Sequence, residues 1–173
     1  MKEIKPSQDK INPSREQVII VDHNNVEIAV VPREEMRRRQ MIHRATCIIV
    51  FNDAGHILIQ KRTTSKDIYP GYYDIGAGGV VQAGESYDES AQRELFEELG
   101  ITGELSFLFD HYCERDDNRV WAEVYKCRHN GPFILQKEEV ASAQFMSVNA
   151  ALELESLTPD GREILHRLKF SAS

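Results

Sequence analysis

Between positions 93 and 98 the chain reads Arg-Glu-Leu-Phe-Glu-Glu, which sets the carboxylates of Glu94, Glu97 and Glu98 beside the guanidinium of Arg93. The flanking residues specify a helix over Tyr87 to Leu99: Ser86 and Glu89 have the spacing of a capping box, and Gly100 stands just past the end. Each helical residue advances about 100°, so Glu94, Glu97 and Glu98 fall within a sector of roughly 100°. Like charges three and four residues apart repel by a few tenths of a kcal/mol per pair, and a hard cation removes that cost. Carboxylate oxygens suit Mg²⁺, with Mn²⁺ as a possible substitute, and such ions keep several waters and bridge to substrate phosphates. The plainer alternative is a solvated acidic face. Leu95 and Leu99 lie beside the acidic sector, so one flank of the helix can pack on a sheet while the carboxylates face a cleft.

Two residues upstream weigh against the solvated face. Gly79, five residues, Glu85, seven residues, then Arg93-Glu94-Leu95-Phe96-Glu97-Glu98-Leu99-Gly100-Ile101 resembles, position for position, the signature of the Nudix hydrolase family. Chance would fill every defining position in a chain of this size roughly once in 10⁷. The resemblance implies an α/β fold, an α/β/α sandwich with a mixed β-sheet. It also implies metal-dependent cleavage of a diphosphate linkage in a nucleoside diphosphate derivative or a related small organic diphosphate. Under that resemblance Glu94, Glu97 and Glu98 hold the metal. Arg93 orients a box carboxylate through a salt bridge, Glu85 serves the loop or a metal, and Gly79 lets the backbone approach without a side chain in the way. The general base is either a box glutamate, Glu97 or Glu98, or one from a distant loop. Glu138 and Glu139 are candidates for that loop role, with Glu139 favoured, and Glu123 is a weaker metal candidate.

A looser resemblance over roughly residues 16 to 148 points to the branch containing isopentenyl-diphosphate isomerase. His43-Arg44-Ala45, Ile57 to Arg62, Ser65-Lys66, Pro70-Gly71 and Glu138-Glu139-Val140 carry it. The position of that branch's cysteine, eight residues after Pro70, holds Gly78; the histidine position two further on holds Val80, and only His43 matches. Carbon protonation needs a placed acid, so a hydrolase on an isomerase-like scaffold is expected, with an isomerase-like enzyme or a nucleotide-sensing module without turnover as the rivals. Lys61, Arg62 and Lys66 are the expected contacts to the anionic substrate, and Trp121, Tyr72 or Tyr73 could stack on a base.

These groups must be positioned by a scaffold. Gln17 to Asp22 and Val26 to Val31 flank His23-Asn24-Asn25 and read as an N-terminal hairpin extension, followed by a short polar helix over Glu34 to Met41. Ala45 to Phe51 and His56 to Lys61, separated by Asn52-Asp53-Ala54-Gly55, read as a second, central hairpin. Further strands are expected over Tyr72 to Gly79, Leu105 to Tyr112, Val120 to Arg128 and Gln144 to Val148. A closing helix is expected over Pro159 to Lys169, capped by Thr158. Residues 1–15 read as a loose leader and 16–173 as a single domain.

The 173 residues carry 21 Lys and Arg against 28 Asp and Glu, a net charge of −7, which argues against a general grip on extended nucleic acid and requires local cations for an anionic ligand. An RNA-end-directed enzyme is disfavoured on the same ground. Cys47, Cys113 and Cys127 are widely spaced and lack a CxxC, so buried thiols are expected rather than disulfides or zinc. Nothing in the sequence reads as an export signal or membrane span, so the expected setting is cytoplasmic, with a small-molecule diphosphate as partner and a monomer or homodimer as the assembly.

Overall fold

A computed structural model describes residues 15–171. The leader expected over residues 1–15 lies outside the described residues except for Arg15. Strands β1 (Gln17–Val21) and β2 (Glu27–Pro32) form the expected antiparallel hairpin, with Val18 opposite Val31 and Ile20 opposite Ala29. Asp22 Oδ1 accepts from the backbone N–H groups of Asn24 and Val26, and Asn25 takes a left-handed φ of 60°, which asparagine tolerates. Helix α1 (Arg33–Arg38) follows Pro32 directly and is shorter than expected, because Gln40 turns left-handed at φ 52° and ends it.

The hub of the sheet is β3 (His43–Phe51). One edge pairs in parallel with β8 (Arg119–Arg128), and the other pairs antiparallel with β6 (Ala77–Val80). Both edges are therefore occupied, and the expected central hairpin opens. Its turn forms, with Asn52 Oδ1 accepting from Ala54 and His56, but β3 meets β4 (Ile57–Arg62) only at Phe51 opposite Ile57. Strand β4 pairs instead with β5 (Tyr73–Ile75) and β9 (Val140–Met146), while β7 (Ser106–Glu114) pairs with β8. The segment expected as one strand over Tyr72 to Gly79 divides at Gly76, so that β5 joins β4 and β6 joins β3. Gly76 has φ 51°, and a Cβ there would overlap the Ile48 carbonyl, so only glycine makes this bend.

Helices cover both faces. Ala91, Leu95 and Leu99 of α2 (Tyr87–Leu99) pack on Ile48, Val50, Leu58 and Tyr125. On the other side Ala151 of α3 (Val148–Leu152) and Ile164 and Leu165 of α4 (Pro159–Ser171) pack on Ile49, Ile57, Ile59 and Val124. The result is the expected α/β/α layering. The last strand lies earlier than expected: β9 ends at Met146, and Ser147 accepts from Ala150 N–H to start α3, which the sequence reading did not include. Cys113 and Cys127 are buried, Cys47 is partly so, and all three are free thiols. Among the described residues, no helix is long and apolar enough to cross a membrane.

Candidate active site

The rotation of α2 is fixed at both ends. Ser86 Oγ accepts from Glu89 N–H at 3.1 Å while Glu89 Oε2 accepts from Ser86 N–H at 2.9 Å, and Gly100 closes the C-terminus with a left-handed φ of 66°. With Ala91, Leu95 and Leu99 turned into the core, Glu94 and Glu98 are drawn beneath β6, at 8% and 2% exposure, whereas the Glu97 side chain is 47% exposed. The three glutamates therefore share a sector but not an environment.

Strand β6 roofs the two buried acids. Glu98 Oε1 accepts from Gly78 N–H at 2.8 Å, and a Cβ on Gly79 would collide with the Glu94 carboxylate. A third acid, Glu139, arrives from the segment before β9, and one oxygen each of Glu94, Glu98 and Glu139 lies within 4.8 Å of the others. That segment is tied to the end of α2 by Ile134 N–H to Leu99 O at 2.9 Å and Gln136 N–H to Glu98 O at 3.1 Å. It is tied to the turn after β4 by Thr63 N–H to Glu139 O at 3.1 Å and Thr63 Oγ1 to Glu138 O at 2.9 Å. Burial and the nearby Glu98 charge hold the Glu94 carboxyl well above the usual range. Burial also pushes Glu98 up to about 7, with Glu139 adding to the rise and Lys66 and the Gly78 N–H opposing it. Two buried acids that resist ionisation, with a third against them, form an oxygen-only donor set suited to a hard divalent cation.

Arg93 binds the loop to the helix. Its Nε and Nη2 donate to the two Glu85 oxygens at 2.5 and 3.1 Å, and Nη1 donates to Glu94 at 3.0 Å and Glu97 at 3.1 Å. Glu85 also accepts from Gln82 N–H at 3.0 Å, so it sits with Arg93 and the loop rather than in the carboxylate trio. Glu97, held by Arg93, also lies outside that trio.

The glycines of β6 form one wall of a cavity lined also by Arg62, Lys66, His43 and Cys47. Lys66 Nζ stands 3.7 Å from Glu139, and Arg62 pairs with Asp74 at 3.5 Å and donates to the Ile68 carbonyl at 2.9 Å. Lys61 does not line this cavity. Successive strand residues point to opposite faces, and Lys61 is exposed with its ammonium 5.7 Å from the Tyr73 ring centre. None of the three aromatics singled out in the sequence lines the cavity either: Trp121 stacks on Tyr112, Tyr73 packs in the core by α4, and Tyr72 lies against Tyr69. Glu123 accepts from the Tyr125 hydroxyl at 2.5 Å, away from the trio. The sequence reading passed over Arg33 and Arg37, which line the cavity from α1; their one-turn spacing sets them on one face, and nothing in the short polar helix says that this face turns inward.

Gly78 bears on the isomerase alternative. A Cβ there would overlap the Thr46 carbonyl, so the position has no room for a cysteine while β3 and β6 stay paired. His43 is 2% exposed, bonds Met41 O through Nδ1 at 3.1 Å, and is held neutral by burial, with its pKa lowered to about 3.

An α/β/α sandwich whose capped helix presents buried glutamates under a glycine strand defines a recognisable class. The NUDIX domain family model matches residues 41–168, and the chain belongs to the Nudix hydrolases, enzymes that generally use divalent metal ions. The uncharacterized Nudix hydrolase PA4841 of Pseudomonas aeruginosa is 44% identical over 136 residues, covering 77% of this chain and 79% of its own length. The uncharacterized Nudix hydrolase YfcD of Escherichia coli K12 is 42% identical over 154 residues, 88% of this chain and 86% of its own. Among solved structures, DR0079 from Deinococcus radiodurans has the same fold, with a TM-score of 0.78 at 22% identity over 88% of this chain and 98% of that one.

Proposed function

We propose that this protein is a Mg²⁺-dependent hydrolase that cleaves a diphosphate linkage in a nucleoside diphosphate derivative or a related small organic diphosphate, with Mn²⁺ as a possible substitute. The observation that carries this reading is the trio of Glu94, Glu98 and Glu139, oxygen ligands gathered within 4.8 Å of one another, with Gly78 and Gly79, which lie against Glu98 and Glu94, lining a cavity that also holds Arg62 and Lys66. Glu94 and Glu98, with Glu97 at the exposed edge, would hold the metal. Its chemistry when bound would be charge neutralisation on the diphosphate and a lowered pKa for the attacking water.

The chain's own residues account for the rest. Arg93 fixes the carboxylates of Glu94 and Glu97 and ties both to Glu85, so the donor set is arranged before substrate arrives. Glu139, at 28% side-chain exposure against 10% for Glu94, is the member of the trio open to solvent, and we assign it the proton of the attacking water, taken at a carboxylate oxygen. Lys66 holds Glu139 in place, and Arg62, braced by Asp74, offers positive charge to the substrate. Phosphate and nucleotide release should be measured across dinucleoside polyphosphates, nucleotide sugars, dinucleotide cofactors and coenzyme A, with Mg²⁺ and with EDTA. Metal-dependent release from one class, lowered on the order of 10²–10⁴-fold in Glu139→Gln, is the expected result. Affinity for such a compound without turnover under any metal would mark a sensor instead.

A further inference from the structure

Helix α1 and the segment between β4 and β5 meet at a carboxylate gripped by two arginines. Arg33 donates from Nε and Nη2 to the two oxygens of Asp67 at 3.1 and 3.4 Å, and Arg37 Nε donates to Asp67 Oδ2 at 3.1 Å. Arg37 also donates from Nη1 to Asn118 Oδ1 at 3.1 Å, which fixes the guanidinium from β8's side. Both arginines line the same cavity as Gly78 and Gly79, the residues seated over Glu98 and Glu94.

The two acids of this corner are shared unevenly between its two arginines. Two guanidiniums share Asp67, and the further acid Glu16 reaches only Arg33, at 3.5 Å. The other cavity cations are engaged elsewhere, Arg62 by Asp74 and Lys66 by Glu139. Burial lowers the pKa of Arg37, with Asp67 opposing the fall and the neighbouring Arg33 charge adding to it. Exposure also runs in a telling order: the side chains of Arg33 and Arg37 are 16% and 20% exposed, and that of Asp67 is 38%. The arginines are built in, and the acid is the part that can leave.

We propose that Arg33 and Arg37 form an anion subsite for a phosphate group of the ligand, and that Asp67 occupies it as an internal stand-in which that phosphate displaces. The fork of an arginine matches two phosphate oxygens as it matches two carboxylate oxygens, and a dianionic phosphate answers two guanidiniums better than a single carboxylate does. The proposal deepens the hydrolase reading and rests on it for the identity of the cavity. Its test does not need the glutamates or a metal.

Inorganic phosphate should be titrated into the full chain in EDTA, by calorimetry or by ³¹P and amide NMR, for wild type, Asp67→Asn and Arg37→Gln. Removing the internal competitor in Asp67→Asn should tighten phosphate binding about tenfold, and removing one fork in Arg37→Gln should weaken it about tenfold, the loss expected for one charge-assisted contact. Asp67→Ser and Arg33→Gln serve in place of a variant whose thermal melt shows misfolding. An affinity that does not rise without Asp67, or does not fall without the arginine, overturns the proposal. Failure of every diphosphate substrate to turn over would refute the hydrolase reading and leave the phosphate titration as it stands, so the two failures are distinguishable.

Discussion

Glu139→Gln should stabilise the metal-free protein while disabling it. Glu139 and Glu98 have oxygens within 4.8 Å of one another, and two full charges at that separation repel by about 3.5 kcal/mol at an effective dielectric constant of about 20. Against this stands the loss of the Lys66–Glu139 pair at 3.7 Å, a partly exposed contact that contributes about 1 kcal/mol. Solvent screening at the open side of Glu139 trims the repulsion further, leaving a net gain of about 1–2 kcal/mol, or about 2–8 °C in Tm for a chain of this size. The effect depends on Glu98 being ionised. Because burial places its pKa at about 7, the gain should be present at about pH 8 and should vanish at about pH 5, where Glu98 carries its proton in either variant. Calorimetric melts in EDTA at those two pH values measure it. In Mg²⁺ the difference should shrink, because an ion held by Glu94 and Glu98 would stabilise both forms and neutralise the charge that Glu139 opposes. A variant no more stable than wild type at the higher pH, or equally stabilised at both, would refute the reasoning by showing that the glutamates do not feel one another.

Three other outcomes are expected. Gly79→Ala puts a methyl group against the Glu94 carboxylate, so kcat should fall on the order of tenfold or more while the far-ultraviolet spectrum keeps its helical content; unchanged kcat would mean that Glu94 is not held there. Glu97→Gln, altering an exposed side chain outside the trio, should lower kcat less than Glu98→Gln does, which parallel steady-state kinetics on any active substrate will decide. His43 titrates at about 3 when folded, through burial and then Arg37, against about 6.5 unfolded, so the unfolded chain binds the extra proton between those values. Stability should fall by about 1.4 kcal/mol per pH unit below about 6.5, and urea melts of His43→Gln should show that slope flattened.

What the sequence disclosed depended on the range of the signal. The capped helix was legible because Ser86, Glu89 and Gly100 act within a turn or two, and the burial of Leu95 and Leu99 follows from their periodicity. That Glu94 and Glu98 go under β6 while Glu97 stays outside needed the neighbouring strand, since the three residues occupy one sector of an isolated helix. The opening of the β3–β4 hairpin was hidden for a related reason. Turn residues announce a reversal of the chain, but whether the strands stay paired depends on β6 and β8, distant segments that take both edges of β3. Gly76 was visible as a glycine and not as the point where one strand becomes two. The approach of Glu139 to the box came from family resemblance alone; no local pattern links position 139 to position 94. Lys61 was within reach of sequence reasoning, because strand alternation sets it opposite Arg62. Arg33 and Arg37 were not, because a short polar helix gives no sign of which face it turns inward.

The measurement that bears most directly on the trio is turnover of the substrate panel by wild type, Glu98→Gln and Glu139→Gln as Mg²⁺ is titrated from EDTA-treated protein. Turnover that rises with Mg²⁺, and that both substitutions depress on the order of 10²-fold or more while the melts stay cooperative, is the expected result. Turnover in EDTA, or variants that keep wild-type rates, would contradict the assignment of Glu94, Glu98 and Glu139 as the centre of the chemistry.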